Sequence, residues 1–262
     1  MCIAVFMWQS HPKYPLILLH NRDEFYSRPT EALSWWEGER ALGGRDVLGG
    51  GTWLASTRNG RIAFLTNYRE LQYLPHPKTR GDLPIRFLQS NKSPQEFAEQ
   101  VLKEAHEYNG FNLVLADICT STMVYVSNRP KQAHLSVAPG IHVLTNAALD
   151  APWPKAERLR HNFKELIDQY GEHEFPIEEM VEKLMTNTIK DDECMLPGIH
   201  PLEREHPLSS IFVDAELSSG HYGTRSSSAL FVKSNKEVTF YEKFLDQRQW
   251  KEKKVTYMIN ER

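Results

Sequence analysis

The fold is decided within residues 2–24. They read Cys2-Ile3-Ala4-Val5-Phe6-Met7-Trp8, then Gln9-Ser10-His11-Pro12-Lys13-Tyr14-Pro15, then Leu16-Ile17-Leu18-Leu19-His20-Asn21-Arg22-Asp23-Glu24. Two apolar runs, Cys2–Trp8 and Leu16–Asn21, flank a short proline-containing break, which is the signal of a β-hairpin. In an antiparallel hairpin the end of the second strand lies beside the start of the first. The polar run His20-Asn21-Arg22-Asp23-Glu24 is therefore expected beside Cys2.

That neighbourhood gives Cys2 chemical interest. Removal of Met1 would leave one residue carrying both a thiol and a free α-amine. Such an amine titrates near ~7.7–8.0, close to working pH, and an N-terminal amine serves as base for its own side chain in the threonine version of this device. A thiol near ~8.5 needs little help to ionise. Asp23 is then placed to orient the ammonium, and Arg22 to favour the thiolate or hold an anionic ligand. The competing reading is ordinary: cysteine packs as a small hydrophobe, and a polar run after a strand is a solvated turn.

Working outward, strands are expected at Thr52–Ser56 and Ile62–Asn67, turned by Asn59-Gly60. The stretch holding Gly43-Gly44 and Gly49-Gly50-Gly51 reads as loop. Helices follow at Leu83–Leu88 and from Ser93-Pro94, where an N-cap precedes a proline in the first turn. Strands resume at Phe111–Ala116, Met123–Ser127 and Ile141–Leu144. Amphipathic helices are expected at Pro154–Tyr170 and Ile177–Lys190. The closing strands are Ala229–Val232, Val238–Tyr241 and Val255–Ile259. Asp191–Ser210 is expected as an exposed excursion. Hairpin-linked strands, then helices, then strands favour an α+β class over a doubly wound sheet. No shift in composition marks a boundary, so residues 1–262 are expected to form a single domain.

The bulk properties narrow the function. A formal net charge of −3 gives no global field to recruit nucleic acid or an anionic membrane. Three cysteines, with no CxxC, fit a reducing compartment better than a disulfide framework. No stretch approaches a membrane span, and the opening apolar runs are too interrupted for a signal peptide. The expectation is a cytoplasmic protein, with association to a mitochondrion or the Golgi left open. There is no P-loop, no GxSxG elbow and no HExxH or paired Cys/His spacing. No metal and no required cofactor are expected.

Several further residues carry candidate chemistry. Thr66-Asn67 and Thr145-Asn146 each end a strand; asparagine there is an ordinary turn residue, but its amide also suits an oxyanion. Asn109-Gly110-Phe111-Asn112 is a weaker candidate because NG reads first as a turn. Arg225, ahead of a strand, is placed to meet a carboxylate or phosphate, whereas Ser226-Ser227-Ser228 reads as solvated loop. Trp35, Trp36 and Trp53 read as core or groove lining.

Asn21-Arg22-Asp23-Glu24, followed by Phe25-Tyr26-Ser27-Arg28-Pro29, resembles the signature of the NRDE family, also called the transport and Golgi organisation protein 2 family. The Met-Cys-Ile start, Gly50-Gly51-Thr52-Trp53-Leu54, Leu65-Thr66-Asn67-Tyr68, Tyr108 to Leu113, Asn146 with Pro152-Trp153, and Tyr222-Gly223-Thr224-Arg225 extend the likeness over nearly the whole chain. The resemblance implies an αββα four-layer sandwich similar to the N-terminal nucleophile hydrolases. It is closest to their Cys-type amidases, whose site residues would correspond to Cys2, Asp23, Asn67, Asn146 and Arg225. One departure is that the early arginine of those enzymes falls near His20, while this chain carries Arg22. Asn21, Arg22, Glu24, Arg28 and Trp53 are the expected ligand-binding set. The activity implied is cleavage of an amide or thioester of a small acyl molecule. The alternative implied is non-catalytic binding of haem or acyl-CoA in haem and lipid trafficking.

Overall fold

The computed structural model describes residues 2–39, 41–131 and 133–260. In chain order its strands are β1 (Cys2–Trp8), β2 (Leu16–Phe25), β3 (Thr30–Trp35), β4 (Leu42–Asp46), β5 (Leu54–Ser56), β6 (Arg61–Asn67), β7 (Phe111–Asp117), β8 (Thr122–Ser127), β9 (Ala133–Ser136), β10 (Gly140–Leu144), β11 (Asp214–Leu217), β12 (Gly220–Val232), β13 (Glu237–Asp246) and β14 (Gln249–Met258). The α-helices are α1 (Asp82–Gln89), α2 (Pro94–Lys103), α3 (Pro154–Tyr170), α4 (Ile177–Met185) and the short α5 (Leu202–Glu205). The α+β expectation is met: the strands form two separate sheets, and every pairing given within them is antiparallel.

The chain divides into two compact units. The first holds residues 1–28, 139–145 and 149–256; its sheet runs β10-β1-β2-β12-β13-β14, with β11 on β12. Alternate residues of the inner strands, such as Ile3, Val5, Ile17, Leu19, Ala229 and Phe231, pack with Leu159, Phe163, Met180, Val181 and Leu184 of α3 and α4. The second unit holds residues 29–138, 146–148 and 257–262, with sheet order β3-β4-β5-β6-β7-β8-β9. There Ala63, Leu65, Leu113 and Leu115 pack with Leu83, Phe87, Phe97 and Val101 of α1 and α2. Each unit is thus a sheet with helices on one face, the pairing of layers that the sandwich expectation requires of each half.

Local chemistry explains the elements. Helix α2 opens on a complete capping box: Ser93 Oγ accepts from the Glu96 N–H at 3.2 Å, and Glu96 Oε2 accepts from the Ser93 N–H at 2.8 Å. Helix α4 stops at Met185, short of the expected Lys190. Thr186, Asn187 and Thr188 are poor helix formers, and Asn187 turns the chain by accepting from the Ile189 N–H. The first half holds more strand than its sequence suggests. Gly43 and Gly44, expected in a loop, lie inside β4. A Cβ on Gly43 would sit 2.6 Å from the Leu54 carbonyl, and one on Gly44 would enter the Trp53 ring. These glycines mark close strand contact rather than a turn. The Ser226–Ser228 run also departs from expectation: it lies inside the 13-residue strand β12, fully buried.

The 191–210 excursion is largely exposed, but it is organised. The buried Glu205 carboxylate accepts from the N–H groups of Gly198, Ile199 and His200 at 2.9–3.0 Å.

Candidate functional site

Strand β2 is the middle of the first unit's polar cluster, pairing with β1 on one side and β12 on the other. Cys2 lies opposite Arg22, and Arg22 lies opposite Ser226. Strand alternation puts these three side chains on the face away from α3 and α4, because Ile3, Asn21 and Ser227 occupy the helix-facing positions. The apolar cluster takes Ile3, Val5 and Met7 from β1 but not Cys2. The thiol is 7% exposed. Burial pushes its pKa up from the ordinary value; the Asp23 backbone, hydrogen-bonded to it, and the Arg22 cation pull it back without cancelling.

Asp23 has the opposite parity, so its carboxylate and the Cys2 thiol leave the sheet on different faces. Its Oδ1 accepts from Thr224 Oγ1 at 2.8 Å, and its carbonyl accepts from the Tyr222 hydroxyl at 2.9 Å. Burial raises the Asp23 carboxyl above its usual range, opposed by the Lys155 ammonium and the Thr224 hydrogen bond. Lys155 is itself buried at the start of α3, donating to the carbonyls of Leu208 at 3.0 Å and Ser210 at 3.3 Å. Sequence reasoning missed both Lys155 and Thr224. Nothing local marks a lysine in the first turn of a helix as the neighbour of an aspartate 132 positions earlier in the numbering.

Arg225 is the extra residue of a bulge, where the β2–β12 register shifts between Thr224 and Ser226. Its Nη1 donates to the carbonyls of Phe25 at 2.8 Å, Tyr26 at 3.1 Å and Arg28 at 3.1 Å. Burial lowers its pKa. The guanidinium therefore clamps the turn after β2. Within that turn Glu24 and Arg28 face each other at 3.9 Å, and Glu24 Oε1 accepts from the Phe25 N–H at 2.9 Å. Asn21 is committed elsewhere: its amide donates to Met185 O at 2.8 Å and Ile211 O at 3.0 Å, tying β2 to the end of α4.

Asn67, Asn146 and Trp53 belong to the second unit. Asn146 Nδ2 donates to Asn67 O at 2.8 Å, and Asn146 O accepts from the Arg69 N–H at 2.7 Å. The Asn146 side-chain oxygen is buried with no hydrogen-bond partner. Asn112, the weaker candidate, is buried beside them. It donates to Thr66 Oγ1 and Ala147 O and accepts from the Tyr125 hydroxyl at 2.7 Å. Trp53 is buried against Gly44. Met1, on which the amine depends, lies outside the described residues. No cluster of three or more His, Cys, Asp or Glu able to hold a metal occurs among the described residues. No helix there is long and apolar enough to cross a membrane.

An antiparallel α+β protein, with a cysteine opening its central hairpin and an Arg–Asp pair at the hairpin's far end, is the class these features define. The chain belongs to the Transport and Golgi organisation 2 family, whose model matches residues 1–247. It is 34% identical to the Transport and Golgi organization protein 2 homolog of Bos taurus, over 93% of this chain and 92% of that one. It is 32% identical to the Homo sapiens homolog over the same shares, and 27% identical to the Drosophila melanogaster protein over 92% and 91%. Among solved structures, a Caenorhabditis elegans N-acylethanolamine-hydrolyzing acid amidase ortholog superposes with a TM-score of 0.41 at 14% identity. That match covers 87% of this chain and 92% of the other, a likeness too distant to carry an argument.

Proposed function

We propose that the protein is a hydrolase for an amide or thioester of a small acyl molecule, with Cys2 as nucleophile once Met1 is removed. The observation that carries this reading is the setting of Cys2. It faces Arg22 across the hairpin and takes a hydrogen bond from the Asp23 backbone. In the reaction the sulfur bonds to the acyl carbon while its proton passes through the α-amine to the departing amine or thiol. Water then cleaves the acyl-cysteine, releasing the acid and restoring the thiol. Asp23 favours the ammonium formed in transit, and Arg225 holds the turn that positions Asp23.

The test uses p-nitrophenyl octanoate and mass spectrometry. Cys119 and Cys194 are exposed free thiols, so both are changed to serine first. An octanoyl adduct on Cys2, lost in Cys2→Ala, is expected, together with an intact mass lacking Met1. Absence of the adduct, with equal turnover in Cys2→Ala, sinks the reading and favours non-catalytic binding of an acyl-CoA or haem. The pH profile separates two mechanisms. Acylation through the amine levels off near ~7.7–8.0. Acylation by a thiolate formed unaided keeps rising past the ordinary cysteine range, because burial has raised the thiol.

A further inference from the structure

Ser226 is 3% exposed, and its hydroxyl has no hydrogen-bond partner. A buried hydroxyl without a partner costs free energy unless something absent from the bare chain completes it. Its position indicates what that is. Cys2, Arg22 and Ser226 stand opposite one another on three adjacent strands, sharing one face. The next row on that face is also polar and buried: His20 pairs with Ser228, and Ser228 with Glu242. Further along the same face the strands turn apolar, with Phe6, Leu18, Leu230 and Phe240 buried, so the polar residues are confined to the end that holds Cys2. Adjacent strands are ~4.8 Å apart, so Ser226 stands about two spacings, ~10 Å, from Cys2, with Arg22 between them.

We propose that Arg22 and Ser226 form a subsite for an anionic group of the substrate, a carboxylate or phosphate held about two strand spacings from the scissile carbonyl. The guanidinium supplies charge and donors, and the serine hydroxyl donates to an anion oxygen. The substrate class is thereby narrowed to acyl compounds that carry a negative charge away from the reacting bond. The inference rests on the hydrolase reading only for where the scissile carbonyl lies.

Three amides of similar length test it by calorimetry against full-length Cys2→Ala, in which binding is measured without turnover. N-Octanoyl-6-aminohexanoate carries the anion on the amine side, suberic acid monohexylamide carries it on the acyl side, and N-hexyloctanamide is uncharged. At least one anionic amide should bind about tenfold tighter than the neutral one, the size expected of a hydrogen bond to a charged group. Adding Ser226→Ala should abolish most of that preference while leaving the melting temperature unchanged or higher, because only an unsatisfied hydroxyl is removed. Ser226→Thr, which keeps the hydroxyl, should retain the preference. No preference for either anion, or a preference that survives Ser226→Ala, overturns the subsite. The two readings fail separately. Anion preference without a Cys2 adduct leaves the subsite and removes the hydrolase. An adduct without anion preference does the reverse.

Discussion

Asp150 shows how much a single carboxylate can tie together. Its Oδ2 lies 2.7 Å from His142 Nδ1, and its Oδ1 accepts from Arg160 Nη2 at 2.6 Å and from the Val143 N–H at 2.9 Å. Strand β10 and helix α3 meet at this residue. Partial burial opposes ionisation, but these hydrogen bonds outweigh it and hold the carboxyl at about 2. Its pKa is depressed in the folded state, so the stabilisation is complete above the unfolded value near ~3.9 and is lost as pH falls through about 2. The side chain is 36% exposed, so screening reduces the contribution to roughly 1–2 kcal/mol. Asp150→Asn should lower urea stability by that amount at pH 7, and the difference should close near pH 2. At this scale the sequence was legible where neighbours are local. The hairpin alone brings Cys2 to Arg22 and Asp23. Thr224 and Ser226 were not legible, because their partners lie about 200 residues away across a bulged register.

Elements were read well where their pattern is self-contained. Helix α3 begins and ends as its periodicity and proline predict, and the α2 cap was visible in Ser93-Pro94-Gln95-Glu96. Strands β3 and β4 escaped because the β4 glycines answer to a neighbouring strand rather than to a local turn. That reading has a test: Gly43→Ala should cost about 1–3 kcal/mol, since its methyl would meet the Leu54 carbonyl and the Ala55 Cβ at 2.6 and 2.7 Å. A lower urea midpoint with an unchanged m-value would show it. At the other end of the chain, β14 is the outer strand of its sheet and presents exposed Lys251, Lys253 and Lys254. Charge along an open edge discourages pairing with a second chain.

At the scale of the whole molecule, each sheet packs against its helices through a large apolar cluster of its own. Phe163 is fully buried in the first, so Phe163→Ala should cost about 3–5 kcal/mol, read from urea unfolding monitored by circular dichroism. The position of β2 between β1 and β12 has a temporal consequence. The hairpin closes over a handful of residues, but the Thr224–Asp23 and Ser226–Arg22 pairings close loops of about 200. Closing such a loop carries an entropic cost that local pairing avoids, and contacts of that span slow folding. Strand β12 is made long after β1 and β2, so the Cys2–Arg22 pair gains Ser226 beside it only once that strand exists. A chain that stops before β12 therefore carries the Cys2 thiol without the partners that β12 brings to its neighbour β2.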